Sequence, residues 1–317
     1  VSEIKWIYFI NERKYEYNLK ESNMLKRLGF ACVMSTRPLS TNHTFRLASL
    51  SYEKLQQTMQ RNLKDLELIL SWMDEHDLRL FRIGSSFVPF ASHQDMTYSW
   101  EDELAGPLEE IGQRYESKGF RFSLHPGQYN LLNSEKSEVI QKTLVELDYS
   151  CRVLELMKLD TAHKVIIHGG CFCGDKSSSL QRLVQTIEDL PQRIRSRLVL
   201  ENDERLFSFA DIMSVCEKTS VPPVFDIFHH KLNPCKDIQD LLQKAHRLWD
   251  SRPKVHISSQ KSGARAGKHA DYILQQDLEE LCTLLPWEAD LMVEAKAKEA
   301  AALEVLQQAK ILGCKAK

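Results

Sequence analysis

The sequence predicts a single (β/α)8 TIM barrel, and three observations carry this prediction. Short apolar runs alternate with longer amphipathic stretches, the alternation recurs eight times, and no linker rich in Pro or Gly interrupts it. Strands that alternate with helices build a parallel sheet, and an eightfold repeat favours a closed barrel over an open, doubly wound sheet. The length of 317 residues suits one such barrel. The open sheet remains the weaker alternative.

The predicted elements follow this repeat in order. Eight runs have the length and composition of strands, at 28–34, 78–83, 120–124, 164–167, 197–200, 223–227, 254–257 and 290–293. Amphipathic stretches such as 52–76 and 139–158 predict helices between them. We therefore expect an N-terminal extension over residues 1–27 and one barrel domain over residues 28–317.

Composition and charge limit the possible partners and locations. The chain has 42 Lys and Arg against 44 Asp and Glu, so no overall field attracts it to DNA or to an anionic membrane. A polyanion must therefore be bound by a local patch. No apolar run has the length of a membrane span or the pattern of a signal peptide, which predicts an intracellular protein without a membrane partner. Its eight scattered cysteines predict reduced thiols.

Six successive predicted strands end at a histidine or an acidic residue. The carboxyl ends of barrel strands meet at one end of the barrel, so these side chains must converge on a small volume. Carboxylates clustered in a site of low dielectric constant repel one another unless cations lie between them. The sequence therefore predicts a metal site with seven candidate ligands, which are His125, His168, Glu201, Asp226, His229, His256 and Glu294.

Seven ligands are too many for one catalytic zinc ion, which keeps about three. We expect two or three divalent metal ions. Mixed imidazole and carboxylate donors suit Mn²⁺, our first expectation, with Zn²⁺ or Fe²⁺ as alternatives. Paired metals favour phosphodiester hydrolysis. The competing hypothesis is a metal-dependent sugar isomerase or epimerase, and a barrel that only binds its ligand is a third.

Two kinds of loop favour a nucleic acid as the ligand. Residues 252–269 contain five Lys and Arg and no acidic residue, and the part after His256 leaves the barrel beside the metal ligands. A basic loop at this position suits a phosphate backbone, although it could simply be a solvated surface. The loop over 85–100 and the one that follows His125 carry aromatic residues that could stack on bases or cover the barrel. The candidate DNA contacts are His93, Gln128, Tyr129, Lys261, Arg265, Lys268 and His269.

Together these residues resemble the UV damage endonuclease family, which is related to the endonuclease IV barrels. The resemblance covers about residues 28–298 and rests on ordered motifs, namely Phe81-Arg-Ile-Gly84, Pro89-Phe-Ala-Ser-His93, His125-Pro-Gly-Gln-Tyr129, His168-Gly-Gly170, Leu200-Glu-Asn-Asp203, Phe225-Asp-Ile-Phe-His-His230, Pro253-Lys-Val-His-Ile-Ser-Ser259 and Val293-Glu-Ala-Lys296. Endonuclease IV usually carries Asp-x-His where this chain has Lys254-Val-His256, so the resemblance favours the UV damage endonucleases.

The resemblance implies a definite reaction. It implies hydrolysis of the phosphodiester immediately 5′ of a UV photoproduct, either a pyrimidine dimer or a 6-4 photoproduct, in double-stranded DNA, which leaves a 3′-hydroxyl. It implies the same seven metal ligands, and it makes Gln128 and Tyr129 the pair that fills the stack next to the lesion. We expect a monomer that needs no protein partner.

Lys254 and Glu201 are the two residues to which we assign catalytic roles. Lys254 and His256 stand two residues apart on a strand, so both side chains face the same way and the lysine lies near the metal ligands. Burial there would depress the pKa of the lysine or allow its modification; binding of a phosphate is the alternative. Two positions depart from the family pattern, because Phe30 replaces an expected tyrosine and Met34 an expected asparagine.

Overall fold

The computed structural model describes residues 5–10, 13–18, 24–172 and 174–314. An antiparallel hairpin, β1 (Lys5–Ile10) and β2 (Arg13–Asn18), lies within the predicted N-terminal extension. The barrel strands are β3 (Leu25–Ala31), β4 (Leu80–Ile83), β5 (Arg121–Leu124), β6 (Lys164–His168), β7 (Leu198–Glu201), β8 (Pro223–Asp226), β9 (Lys254–Ile257) and β10 (Ala289–Val293).

Helices connect successive barrel strands on the outside. They are α1 (Tyr52–Glu75), α2 (Glu101–Glu116), α3 (Ser137–Leu156), α4 (Lys176–Glu188), α5 (Gln192–Arg195), α6 (Phe209–Thr219), α7 (Ile227–Leu232), α8 (Ile238–Arg247), α9 (Gln275–Leu284) and α10 (Lys298–Ile311), with a 3-10 turn at Leu47–Ser49. The eight parallel strands close in the order β3 to β10, and β10 pairs with β3. The predicted TIM barrel is confirmed, and the open sheet is wrong.

The first barrel strand begins and ends three residues earlier than its apolar run predicts. It covers Leu25–Ala31 instead of 28–34, whereas the other strands begin and end within two residues of their predicted bounds. Cys32 has a positive φ of 65°, which stops the strand, and Val33 then pairs with Ser40 in an isolated antiparallel bridge. A run of apolar residues does not reveal where the backbone turns away.

Alternation along each strand separates the outer core from the interior of the barrel. On β4, Phe81 and Ile83 join the large core between the barrel and its helices, whereas Leu80 packs with Ala31 and Met292 inside the barrel. This periodicity also turns the last inward-facing position of several strands towards the carboxyl end of the barrel, where polar residues can meet.

A buried ionic layer closes the amino end of the barrel. The Nη1 atom of Arg121 lies 2.9 Å from Oδ2 of Asp290, and both side chains are buried. Arg27 adds a second contact of 3.1 Å to the same oxygen. Arg252 lies 3.6 Å from Oδ1 of Asp290, so three arginines surround this carboxylate, and a buried carboxylate requires such pairing.

Two further features concern the surroundings of the chain. In the described ranges, no helix combines the length and the hydropathy needed to cross a membrane. The cysteines in these ranges, seven in number, are free thiols.

The contact between β3 and β4 generates a stability prediction. A Cβ atom added to Gly29 would lie 1.5 Å from the carbonyl oxygen of Leu80 on the paired strand. We expect Gly29→Ala to lower the free energy of unfolding by about 3 kcal/mol or more, because the backbone of a closed barrel cannot move aside freely. Chemical denaturation measures this, with Gly127→Ala as the control, since a Cβ there meets nothing within 4 Å. Equal midpoints for the two variants would contradict the prediction.

Candidate metal centre

The predicted ligands lie together at the carboxyl end of the barrel. His168, Glu201 and Asp226 are the last residues of β6, β7 and β8, and His125 and Glu294 directly follow β5 and β10. His256 precedes the last residue of β9. His229 belongs to α7, whose first turn is capped by Asp226, because Oδ1 of Asp226 accepts a hydrogen bond of 2.8 Å from the amide of His229.

Glu201 is the centre of the cluster. Its Oε2 atom lies 2.9 Å from Nε2 of His125, and its Oε1 atom lies 2.8 Å from Nδ1 of His256. The nearest ring nitrogens of His168 and His229 lie 4.0 and 3.7 Å from the same carboxylate. Glu201 is 1% exposed, so all four contacts occur away from water.

Three groups of residues around Glu201 have the geometry to hold a metal ion. Within each group, one possible ligand atom per residue lies within 4.8 Å of the others. The groups are His125 with His168 and Glu201, Glu201 with Asp226 and His229, and Glu201 with His256 and Glu294. All seven predicted ligands occur in these groups, so the structure brings the complete set together.

Burial and charge act in opposite directions on the carboxylates. Burial alone would raise the pKa of Glu201, but His256 and His168 and the hydrogen bonds from His125 and His256 hold that pKa well below its ordinary value. Burial raises the pKa of Asp226, and its attraction to His229 does not compensate for this. Asp226 therefore has too little positive charge around it in the metal-free protein.

The unpaired atoms of the cluster fit a divalent cation. Among the described residues, Oδ2 of Asp226 and Nδ1 of His168 are buried without a hydrogen-bond partner. Buried polar atoms without partners are rare and often mark an ion site. Nδ1 of His229 lies 2.9 Å from the carbonyl oxygen of Asn202, to which the ring donates, so Nε2 is left for a metal. Carboxylate and imidazole donors of this kind suit Mn²⁺, Zn²⁺ or Fe²⁺.

A fourth group, Glu116, Asp160 and His163, does not fit a metal ion. Nδ1 of His163 accepts a hydrogen bond of 2.9 Å from the amide of Phe122, so the proton of the neutral ring is on Nε2. Burial lowers the pKa of His163 to about 3, which keeps the ring neutral. Nε2 therefore donates towards the carboxylates and has no lone pair to offer a cation.

Arg82 is a member of the site that the sequence analysis did not identify. Its Nη2 atom lies 2.5 Å from Oε1 of Glu294 and 3.1 Å from Nε2 of His256. It is the permanent cation among these ligands, and the pKa of Arg82 is raised by Glu294 and Glu201, which outweigh its burial. Arg82 follows Leu80 by two residues on β4, so both side chains face the interior of the barrel. This spacing is the feature of the sequence from which Arg82 could have been identified.

Lys254 lies inside the barrel, as its spacing from His256 predicted. It is fully buried, and its Nζ atom has no hydrogen-bond partner among the described residues. Burial, followed by repulsion from Arg121 and Arg82, lowers the pKa of Lys254 well below its ordinary value. A lysine without exposed surface is not placed to bind a DNA phosphate, which disfavours that alternative.

The basic loop forms one wall of a cavity beside the cluster. The cavity has a volume of about 780 Å³, and Glu294 of the cluster is one of the residues that line it. It contains the predicted residues Lys261, Arg265, Lys268 and His269 and, in addition, Arg82, Lys296 and Lys298. Lys261 also lies 3.1 Å from Asp271, and Nδ1 of His269 lies 2.8 Å from the carbonyl oxygen of Glu294. Six Lys and Arg side chains thus line a cavity that shares Glu294 with the cluster.

The remaining predicted DNA contacts differ in exposure. Gln128 is exposed and Tyr129 is 82% exposed, directly after the ligand His125. His93 is partly exposed, and its Nδ1 atom accepts a hydrogen bond of 3.2 Å from the amide of Asp95. In the same loop Phe87 and Trp100 are buried, so these two aromatic residues cover the barrel and do not face a base.

The two positions that depart from the family pattern are buried. Phe30 packs edge-on against Phe81 and Trp72, with ring centroids 5.6 and 6.3 Å away. Met34 is 6% exposed. Neither side chain is presented at the surface to a lesion.

Fold and cluster together define a TIM-barrel protein with groups of His, Asp and Glu that could hold metal. The family model described as UV-endonuclease UvdE matches residues 26–315. The chain belongs to this UV-endonuclease family, and the expected resemblance is confirmed.

A relative and a solved structure that are similar to this chain agree with this family, and a third protein shares its fold. A relative from Clostridium perfringens named "UV DNA damage endonuclease" is 33% identical over 294 residues, which cover 90% of this chain and 71% of the relative. The crystal structure of SacUVDE has 34% identity and a TM-score of 0.87, and the match covers 92% of this chain and 100% of that one. D-psicose 3-epimerase from Clostridium cellulolyticum H10 has 12% identity and a TM-score of 0.54 over 80% of this chain and 94% of that one, which shows a common fold alone.

The charge on His229 predicts a pH effect in metal-free protein. Burial would lower the pKa of His229, but Asp226, Glu201 and Glu294 raise it from 6.5 to about 9. Because the folded state favours the protonated ring of His229, this ring contributes fully to the free energy of unfolding below pH 6.5. The contribution is lost as the pH rises through 9. It amounts to roughly 3 kcal/mol.

Denaturation of chelator-treated protein between pH 6 and 10 measures this effect. We expect the unfolding free energy of the wild type to fall over this interval more than that of His229→Gln, which has no charge to lose. Parallel curves for the two proteins would refute the assignment.

Proposed function

We propose that the protein is a metal-dependent DNA repair endonuclease that hydrolyses the phosphodiester immediately 5′ of a UV photoproduct and leaves a 3′-hydroxyl. The observation that carries the proposal is the Glu201-centred cluster, which shares Glu294 with the lining of a basic cavity, in a chain of the UV-endonuclease family. Its substrate is UV-damaged double-stranded DNA. The active species is a monomer without an obligatory protein partner, because one chain supplies both the cluster and the cavity.

The seven cluster residues would hold two or three divalent ions, with Mn²⁺ as the first expectation. When bound, such ions lower the pKa of the attacking water and neutralise charge on the phosphoryl oxygens and on the departing 3′-oxygen. Glu201 contributes to all three groups and therefore fixes their relative positions. No side chain needs to act as the nucleophile. Lys254 is buried inside the barrel near His256, and we assign it a role there as an amine whose lowered pKa favours the neutral form.

Arg82 has two roles in this proposal. It holds the carboxylate of Glu294 and the ring of His256, and it also lines the basic cavity. An arginine beside a phosphate stabilises the charge that develops during transfer to water. Removal of Arg82 would thus affect both the position of a ligand and the neutralisation of the phosphate.

The cations of the cavity explain how a chain with a net charge of −2 binds DNA. Lys261, Arg265 and Lys268 surround the route to the cluster, so the phosphate backbone meets a local positive patch. Lesion recognition requires the damaged bases to leave the stack, which costs least where pairing is already weakened. Gln128 and Tyr129 are exposed next to His125 and would fill the resulting gap, with His93 and His269 as further DNA contacts.

The alternative of a sugar isomerase accounts for the metal ligands but not for the cavity. A cavity lined by six Lys and Arg is far more basic than an uncharged aldose requires. The similarity to D-psicose 3-epimerase, at 12% identity, supports the common fold and no more. The observations therefore favour the endonuclease.

The decisive test is incision of an irradiated, end-labelled duplex. We expect one nick immediately 5′ of the lesion, with a 3′-hydroxyl that a polymerase can extend. A chelator should abolish the nick and Mn²⁺ should restore it, whereas unirradiated duplex should remain intact. Turnover of an aldose without cleavage of irradiated DNA would support the isomerase instead.

Substitutions in the cluster test the metal assignment separately. Glu201 belongs to all three groups but His229 to one, so Glu201→Gln should lose more metal per chain than His229→Ala. Both should reduce the incision rate by roughly 10²-fold or more. Elemental analysis of purified protein, with at least two metal equivalents expected in the wild type, provides the measurement. Full activity with one metal or none would exclude the multinuclear site.

A further inference from the structure

Three consecutive loops at the carboxyl end of the barrel each expose one large apolar side chain. Tyr129, Phe172 and Leu206 follow β5, β6 and β7, and they are 82%, 49% and 38% exposed. We call these three residues the apolar arc. Contiguous exposed apolar surface marks an interaction site, and the loops that follow neighbouring strands of a barrel stand side by side.

The apolar arc lies across the cluster from the basic cavity. The cavity is formed by residues that follow β9 and β10, together with Arg82, whereas the arc follows β5 to β7. In the closed strand order, β6 and β10 are separated by three strands on either side and so stand opposite each other. The carboxyl end of the barrel is therefore divided into a basic side and an apolar side.

Buried polar residues hold the arc loops in place. Asn133 is buried, its Nδ2 atom donates to the carbonyl oxygens of Gly169 and Cys171 at 3.1 and 2.8 Å, and its Oδ1 atom accepts from the amide of Cys171 at 2.8 Å. These bonds join the loop that carries Phe172 to the loop that carries Tyr129. Phe172 is thus presented by a loop anchored in the protein interior.

The loop after β7 is anchored in a similar way. The carboxylate of Asp203 accepts hydrogen bonds from the amides of Arg205 and Phe207 at 2.8 and 2.9 Å. Phe207 is fully buried, whereas its neighbour Leu206 projects outwards. The turn therefore buries the side chain of Phe207 and exposes that of the preceding residue, Leu206.

Two of the three arc loops lack cations, which disfavours a phosphate as their partner. Residues 126–135 and 169–175 contain no Lys or Arg, whereas Arg205 precedes Leu206 in the third loop and has an exposed side chain. Phosphate contacts draw on cations, and the amide group of Asn133 is used to join the first two loops. What the loops offer is apolar surface, which interacts with base faces and sugar edges.

We propose that Phe172 and Leu206 act with Tyr129 as apolar wedges on the base stack of bent DNA, while the basic side holds the backbone. Phe and Leu are residues that proteins insert at base steps to kink a duplex. This assignment rests on the proposed function, since it takes damaged duplex as the occupant. It adds two specificity-determining residues to the probe pair Gln128 and Tyr129.

The test separates apolar contact from phosphate contact by its salt dependence. Binding of Phe172→Ala and Leu206→Ala to a duplex with one defined photoproduct is measured at several salt concentrations. We expect each to weaken lesion binding about tenfold, as loss of stacking does, with an unchanged slope of log K against log salt. Lys261→Ala, from the basic side, should instead reduce that slope by about one unit.

Two control variants test whether the effect depends on apolar character and on position at the site. Phe172→Leu retains an apolar side chain and should recover most of the lost affinity. Ile311→Ala removes an exposed apolar residue at the end of α10 and should bind like the wild type. Melting temperature and metal content are recorded for every variant, and both should stay at the wild-type value.

The outcomes are distinct. Wild-type lesion affinity in both alanine variants, a reduced salt slope, or a lower melting temperature that Phe172→Leu does not rescue would overturn the wedge assignment. Failure of the wild type itself to prefer damaged over undamaged duplex would overturn the proposed function, whatever the variants do.

Discussion

The site depends on the contacts between the buried carboxylate of Glu201 and four histidines. Glu201 ends β7, and the histidines lie at the ends of three other strands and in α7. A buried carboxylate is stable only if positive charge or donors surround it, and here the donors come from residues far apart in sequence. Closure of the barrel brings them within reach. Because all three candidate metal groups share Glu201, the position of one carboxylate sets the spacing of the whole cluster.

Charge within the barrel is arranged in layers that support this centre. The Arg121–Asp290 pair closes the amino end, Lys254 lies above it without a partner, and Arg82 contacts Glu294 at the carboxyl end. Arg82 offsets part of the negative charge of the cluster carboxylates. Asp226, whose pKa is raised by burial, is where the deficit of positive charge appears. That deficit is what a divalent cation would remove.

The sequence predicted which residues lie together at the candidate site because a barrel restricts where strand ends lie. Each ligand from His125 to Glu294 follows from one rule, that the carboxyl ends of the strands converge, and the family motifs supplied the same residues. Arg82 was not predicted because the sequence does not show which face of β4 points into the barrel. An arginine on the outer face would be an ordinary surface residue. The burial of Phe87 and Trp100 and the exposure of Phe172 depend on how loops fold back over the barrel. Neither periodicity nor spacing encodes that.

Substrate choice in this fold must therefore come from the loops. A barrel with the same architecture serves D-psicose 3-epimerase at 12% identity, so strands and helices alone do not select DNA. In this chain the loops after β9 and β10 add a dense group of cations, and the loops after β5, β6 and β7 add apolar side chains. A polymer with a charged backbone on one side and stacked bases on the other matches both halves at once. The boundary between the two halves passes the Glu201 cluster, which is the cleavage site in the proposed function.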